Sequence, residues 1–144
     1  MGEDLQRRAE TFLAAAAFAR TVGVEMATAE TGRVRLSLAY RKALAQPFGL
    51  MHGGALTTLA DTAAALTMHL ALPEGEECVG VGFSFHFLKG VRGGRVLAEG
   101  ELLHQGRRTG VVQVRLTDPN HRLVATGQFT FLIGPSTRRE PPDV

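Results

Sequence analysis

Apolar residues recur at alternating three- and four-residue spacing between Gly53 and Leu72, and this pattern predicts one long helix. The apolar stripe consists of Leu56, Leu59, Ala63, Leu66 and Leu70. Asp61 is the only formally charged side chain in the segment, and it lies off the stripe on a face of small, nearly neutral residues. Burying a carboxylate without a partner is costly, so we expect Asp61 to serve a function.

Six other segments carry the signals of β-strands, mostly an alternation of apolar and polar positions. The predicted strands are residues 22–28, 33–40, 79–87, 95–104, 109–117 and 123–133. An Ala- and Leu-rich stretch at residues 4–20 predicts a first helix, and a loop broken by Pro47 and Gly49 leads into the long helix. The last four strands follow one another along the chain, so we expect them to form a meander.

The order of these elements predicts an α+β hotdog fold, in which a curled antiparallel sheet wraps around one long central helix. A helix this uniformly apolar must be covered by the sheet, because a surface helix would carry a polar face. Edge strands in such a small sheet invite pairing with a second copy, so we expect a homodimer. We also expect one domain over residues 1–134 and a flexible tail over residues 135–144.

The composition is that of an ordinary globular protein of the cytoplasm. Sixteen basic and 14 acidic residues give a net charge of +2, which is too small to indicate binding to nucleic acid or to a membrane. The single cysteine, Cys78, excludes an intrachain disulfide and fits a reducing compartment. The N-terminus lacks the apolar core of a secretory signal, and no apolar run approaches the ~20 residues of a membrane span. No Cys/His spacing suggests a metal site.

The segment from Gln46 to Asp61 reads Gln-Pro-Phe-Gly-Leu-Met-His-Gly-Gly-Ala-Leu-Thr-Thr-Leu-Ala-Asp. It resembles the signature of hotdog-fold acyl-CoA thioesterases, and most of all the PaaI-like type of phenylacetate degradation. Residues 85–89, 105–107 and 127–128 fit the same family, and the resemblance spans roughly residues 18–133. It implies a homo-oligomer, a dimer or a dimer of dimers, that hydrolyses an aryl- or phenylacetyl-type acyl-CoA to a free acid and CoA. It implies no cofactor beyond the CoA of the substrate.

The resemblance also implies roles for single residues. The backbone N–H matching Gly53 polarises the thioester carbonyl, and the acid matching Asp61 acts as nucleophile or as general base on water. The amide matching Gln46 helps to hold the substrate or the attacking water. Ala65 stands where some relatives carry a hydroxyl, and Gly90 where many carry proline. The candidate substrate-binding residues are His52, Gly54, Ser84, Lys89, Arg107 and Arg108, of which the basic ones would meet CoA phosphates.

Helix geometry supports the roles of Gly53 and Asp61 and limits how the two residues can act on one carbonyl. A helix N-terminus offers unpaired N–H donors and a partial positive charge, which suit an oxyanion, and glycine lets a ligand come close. Asp61 lies eight positions after Gly53, roughly 12 Å along a helix axis at about 1.5 Å per residue. A reacting carbonyl must lie about 3 Å from both groups. If the two residues act together, they must come from antiparallel helices of two subunits.

Other interpretations remain open at this point. Gly53 and Gly54 are also compatible with a simple tight turn, and Asp61 with a structural carboxylate at a dimer interface. Thr57 and Thr58 could donate to the carboxylate or back to the helix. The alternative functions are a hotdog hydratase or dehydratase, which needs a His–acid pair, and a non-catalytic acyl-CoA-binding protein. Release of free thiol from acyl-CoA separates the thioesterase from both.

Overall fold

The computed structural model describes residues 2–137. Its α-helices are α1 at Gly2–Ala15, α2 at Ala17–Val22 and α3 at Gly53–Ala71, and a 3₁₀ helix spans Lys42–Leu44. Its strands are β1 at Glu25–Glu30, β2 at Arg33–Ala39, β3 at Glu76–Phe87, β4 at Arg95–Gln105, β5 at Thr109–Thr117 and β6 at Leu123–Pro135. Most of the predicted tail, residues 138–144, lies outside the described residues. No helix within residues 2–137 is long and apolar enough to cross a membrane.

The first predicted helix is divided in two at Ala16, whose backbone leaves the helical region at φ −81° and ψ 78°. The break lets Leu13 at the end of α1 and Ala19 in α2 both become buried. Alanine favours helix throughout this stretch, so the local sequence gives no signal for the break. Tertiary packing decides it.

The long helix α3 packs against one face of a six-stranded antiparallel sheet. Its predicted apolar stripe is buried, with Leu59, Ala63 and Leu66 fully inaccessible to solvent. Two glycines let the sheet approach the helix closely. A Cβ atom at Gly100 would collide with the Thr67 hydroxyl, and one at Gly110 would collide with the Met68 sulfur. This arrangement confirms the α+β hotdog fold.

The expected four-stranded meander is wrong, because β3 does not lie beside β4. The strand order is β1-β2-β4-β5-β6-β3, so only β4, β5 and β6 form a meander and β3 occupies the far edge. The seven residues 88–94 connect β3 to β4. They can extend over about 23 Å, and three strand spacings require only about 14 Å. Hydrogen bonds from Leu88 N–H to Val124 O (2.8 Å) and from Met51 N–H to Val91 O (2.8 Å) hold this crossing in place.

The edge strand β3 is apolar and open to solvent in the single chain. Val79, Val81, Phe83 and Phe87 are each more than half exposed, at 63%, 53%, 59% and 54%. An edge strand also presents unpaired backbone N–H and C=O groups, and large exposed apolar patches mark interaction sites. The homodimer remains a prediction, and β3 is the surface that supports it.

Candidate active site

The N-terminus of α3 is capped by His52 in a way that leaves one backbone donor unused. The Nδ1 atom of His52 accepts a hydrogen bond from Gly54 N–H at 2.7 Å. The carbonyl oxygen of His52 accepts from Ala55 N–H at 2.9 Å and from Leu56 N–H at 3.2 Å. Among the backbone donors of this first turn, Gly53 N–H alone has no acceptor within residues 2–137. A free N–H at the positive end of a helix is suited to binding an anion.

Gly53 and Gly54 are each favoured as glycine for a different steric reason, because a Cβ atom at each position would meet a different side chain. A Cβ atom at Gly53 would lie 3.0 Å from Cζ of Phe87, the last residue of β3, so the ring packs directly on the glycine. A Cβ atom at Gly54 would lie 2.9 Å from Nδ1 of His52, so glycine leaves room for the cap. The packing of Phe87 on Gly53 has no local sequence signal, because it depends on where β3 lies in the sheet.

Asp61 lies on the face of α3 that the sheet does not cover, and its side chain has no hydrogen bond or ion pair with any of residues 2–137. The hydroxyls of Thr57 and Thr58 donate back to the helix instead, to Gly53 O at 2.7 Å and to Gly54 O at 2.8 Å. Water still reaches Asp61, but the surrounding protein desolvates the carboxylate and raises its pKa above the ordinary value. The group is therefore a stronger base than a solvated aspartate.

Two cavities meet at Asp61. The strand-side cavity, of about 450 Å³, lies between α3 and the edge of the sheet and is lined by Asp61, Ala65, Cys78 and Phe83 among others. The helix-side cavity, of about 360 Å³, lies between α3 and the N-terminal helices and is lined by Asp61, Ala65 and Phe12 among others. Burial raises the pKa of the Cys78 thiol to about 11, so this thiol is protonated at neutral pH. Asp61 is thus the chemically reactive group that both cavities share.

Both the side chain and the backbone N–H of Gln46 form hydrogen bonds within its own loop. Its side-chain Oε1 accepts a hydrogen bond from Phe48 N–H, and its backbone N–H donates to Leu50 O at 2.7 Å. Gln46 lines neither of the two cavities that Asp61 lines. The structure therefore does not bring Gln46 and Asp61 together in one subunit, and the assisting role of Gln46 stays a prediction.

Ser84 lies apart from Asp61. Phe83 stacks on Phe129 on the helix-covered face of the sheet, with ring centroids 5.1 Å apart, so the next residue points to the opposite face. There Ser84 Oγ lies 3.4 Å from Nε2 of His86, in a solvent-exposed pair. Within residues 2–137, Ser84 lines neither cavity that Asp61 lines, and its assignment as a substrate-binding residue stays a prediction.

The three basic residues predicted to bind the CoA phosphates differ in whether they already have an ionic partner. The Lys89 ammonium is hydrogen-bonded to the Asp118 carboxylate, and this bond is the main cause that lowers the pKa of Asp118 to about 2. Arg107 and Arg108 are exposed at the turn between β4 and β5. Their guanidinium groups are accessible to an anionic ligand, whereas Lys89 would have to exchange its partner. Within residues 2–137, no group of three or more His, Cys, Asp or Glu side chains is arranged to hold a metal ion.

Comparison with known proteins agrees with this arrangement. The family described as the Thioesterase superfamily matches residues 48–125, more than half of the chain. The chain is 28% identical over 113 residues to 1,4-dihydroxy-2-naphthoyl-CoA hydrolase of Listeria monocytogenes, covering 78% of this chain and 92% of that protein. It is 33% identical over 88 residues to the Escherichia coli protein of the same name, covering 61% of this chain and 65% of that protein.

Solved structures show the same fold. A mutant thioesterase from Pseudomonas aeruginosa superposes with a TM-score of 0.84 at 26% identity, covering 92% of this chain and 99% of that chain. The PaaI protein from the phenylacetic acid degradation operon of E. coli superposes with a TM-score of 0.82 at 23% identity, covering 92% and 98%. At that level of identity the likeness to PaaI shows the fold alone.

We predict that Asp61→Asn raises the stability of the protein at neutral pH. The folded state raises the pKa of Asp61, so the ionised carboxylate lowers stability above that pKa. The penalty shrinks as the pH falls through the folded-state pKa and is gone only below 3.8, the ordinary pKa of aspartate, where both states are protonated. Thermal unfolding at several pH values should therefore show a higher melting temperature for the variant at pH 7 and a shrinking difference in acid.

The matched control is Asp118→Asn, for which the sign is opposite. The pKa of Asp118 is lowered in the folded state, so its carboxylate contributes stability above the unfolded pKa, and this contribution is lost as the pH falls through the folded value. This variant should melt at a lower temperature than wild type at pH 7. An Asp61→Asn protein that is less stable than wild type at pH 7 would show that the carboxylate has a stabilising partner.

Proposed function

The chain belongs to the thioesterase superfamily, and from this premise we propose that it is an acyl-CoA thioesterase that hydrolyses an aryl-type acyl-CoA to a free acid and CoA. The observation that carries the proposal is the free N–H of Gly53 at the start of the same helix that presents the unpaired carboxylate of Asp61. The names of two relatives, both 1,4-dihydroxy-2-naphthoyl-CoA hydrolases, support an aromatic acyl group. A place in phenylacetate degradation and a cytoplasmic location are further proposals.

In the proposed reaction, Gly53 N–H stabilises negative charge on the thioester oxygen. The donor is fixed by the helix, its neighbours are already used by the His52 cap, and the helix dipole adds to its field. It is therefore organised before the substrate arrives, which is the condition under which an oxyanion donor lowers a barrier effectively. The bound carbonyl carbon becomes more electrophilic as a result.

Asp61 supplies the base or the nucleophile. As a base, its carboxylate takes a proton from water while the water oxygen bonds to the carbonyl carbon. The tetrahedral intermediate then breaks its C–S bond, and CoA leaves as a thiolate that takes up a proton. As a nucleophile, the carboxylate would attack the carbonyl carbon directly, the C–S bond would break and release CoA as a thiolate that takes up a proton, and water would then hydrolyse the resulting anhydride to the free acid and the Asp61 carboxylate. The raised pKa of Asp61 favours the first route, because it makes the group a better proton acceptor near neutral pH.

The proposed site is shared between two subunits. Gly53 and Asp61 lie roughly 12 Å apart along one helix, which is too far for one carbonyl to touch both. Pairing of the apolar edge strand β3 with a second copy would bring two α3 helices together, because Phe87 at the end of β3 packs on Gly53. Each site would then combine Gly53 of one subunit with the partner's Asp61. A dimer of dimers is compatible with this arrangement.

The hydratase or dehydratase alternative receives less support. It needs a histidine that can move a proton beside an acid. The Nδ1 atom of His52 is occupied by the cap to Gly54, and His52 lines neither cavity that contains Asp61. In a non-catalytic binding protein, the desolvated carboxylate of Asp61 would lower stability without serving a reaction.

We predict that Asp61→Asn lowers thiol release from acyl-CoA by roughly 10²- to 10⁴-fold, the range for general acid–base groups. A panel of aryl and fatty acyl-CoA esters, assayed with a thiol-reactive dye, measures this loss and the acyl preference together. In wild type, kcat/KM should fall as the pH falls through the raised pKa of Asp61, since the carboxylate must be ionised. A folded variant with activity within a few-fold of wild type would remove Asp61 from the mechanism.

A second prediction separates the N–H of Gly53 from its small size. Gly53→Ala and Gly53→Pro both add a Cβ atom 3.0 Å from the Phe87 ring, but only proline deletes the N–H, at a helix position that often accepts it. Gly53→Pro should lose roughly 10²- to 10³-fold in kcat, as for other oxyanion donors, and Gly53→Ala far less. Equal losses in the two variants would assign the effect to crowding against Phe87.

A further inference from the structure

A third cavity lies beyond Ala65, on the side away from Asp61. We infer that this cavity, the distal chamber, receives the outer part of the acyl group and that Ala65 and Phe12 determine which acyl groups fit. The chamber has a volume of about 610 Å³, is partly open to solvent and lies between α1, the second half of α3 and the start of β3. Its apolar wall, as we call the aromatic and small side chains of its lining, consists of Phe12, Ala15, Ala65, His69 and Cys78.

Ala65 lies where the cavities beside Asp61 meet the distal chamber. It lines the chamber and also both cavities that Asp61 lines, whereas Asp61 does not line the chamber. Ala65 lies one turn after Asp61, and His69 lies one turn further, so the path covers about 12 Å along the helix. A methyl group at position 65 leaves the passage open. A larger side chain there would project into it.

The apolar wall of the chamber suits a flat acyl group that carries a ring. The rings of Phe12 and His69 lie 4.8 Å apart at 34°, and Ala15 and Ala65, each one turn away along the same two helices, add methyl groups to the same lining. Aromatic surfaces of this kind favour offset packing against another ring. One or two fused rings, attached to a carbonyl beside Asp61, would fill this space.

The rim of the chamber limits the length of an apolar group. Arg7, Arg8, Glu76 and Glu77 line its outer part. A long alkyl chain would extend past the apolar wall and lie against these charges, which would have to give up water. A hydroxyl or another polar substituent on the ring would instead meet the charged groups of Arg8 and Glu76, whereas Arg7 already binds Asp4 and Glu77 already accepts from Ser136 and Thr137. The chamber therefore favours a polar-substituted aromatic acyl group over a long fatty acyl group.

The wall that carries Phe12 is outside the part of the chain that matches the superfamily. The match covers residues 48–125, whereas α1 ends at Ala15. The superfamily segment thus provides Ala65 and the reacting groups, and the N-terminal helix provides the opposite wall. This inference rests on the proposed thioesterase function and adds the residues that select its substrate.

The test compares kcat/KM for acyl-CoA esters of increasing size, from acetyl through benzoyl and phenylacetyl to 1-naphthoyl and palmitoyl. Ala65→Leu should lower kcat/KM for the ring-bearing esters by at least roughly 10- to 200-fold, the range for a single methylene in a hydrophobic pocket. For the smallest ester that wild type hydrolyses, the loss should be smaller, so the ratio of kcat/KM between ring-bearing and small esters should fall. Ala65→Ser adds little volume and should retain the wild-type order of preference among the esters, whatever its new hydroxyl does to the absolute rate.

Phe12→Ala provides a second variant that does not touch α3. It should raise the rate for 1-naphthoyl-CoA relative to benzoyl-CoA, because the chamber becomes wider. Leu5→Ala on the same helix is its control, since Leu5 packs on the core but does not line the chamber. If wild type is active and both Ala65→Leu and Phe12→Ala change all esters equally, the chamber does not bind the acyl group. If wild type releases no thiol from any ester, the proposed function itself fails, and the chamber has no acyl ligand.

Discussion

Burial of one face of α3 in the curled sheet is the constraint on which the rest of the structure depends. The apolar stripe of the helix is fully covered, and glycines at positions 100 and 110 let the strands come close enough to cover it. A helix held so firmly has a fixed N-terminus and a fixed uncovered face. The proposed reaction uses both: the terminus presents a backbone donor, and the uncovered face presents a carboxylate. Because packing places them rather than flexible loops, little reorganisation should be needed when a substrate binds.

The same constraint explains why the site has a cost in stability. His52 caps one donor of α3 and its carbonyl accepts from two others, but Gly53 N–H stays unpaired. Asp61 likewise has no partner within the described residues 2–137, and desolvation raises its pKa. Asp61 is exposed to solvent and Gly53 is half-buried, so both groups remain available to a ligand. They are what a site needs if its partners are to be the developing oxyanion and the attacking water.

The sequence predicts the elements better than their arrangement. Alternation of apolar and polar positions places β5 at its observed bounds, and the apolar stripe places α3 to within one residue of its end. The motif from Gln46 to Asp61 contains the proposed donor and the proposed acid. The alternation of residues along a strand does not determine which strands lie beside it. The position of β3 at the far edge of the sheet therefore could not be predicted from the sequence. The ring of Phe87 on Gly53 and the distal chamber behind Phe12 depend on that long-range placement, so no local signal predicts them.

The central claim, that each site joins Gly53 of one subunit to Asp61 of the other, is tested most directly by mixing two inactive variants. When Gly53→Pro and Asp61→Asn dimers are dissociated together and reassorted, about half of the dimers are mixed, and each mixed dimer has one intact and one doubly altered site. Thiol release should recover to about a quarter of the wild-type rate from two defective parents. If mixed dimers are shown to form and no activity returns, the two residues do not act on one carbonyl.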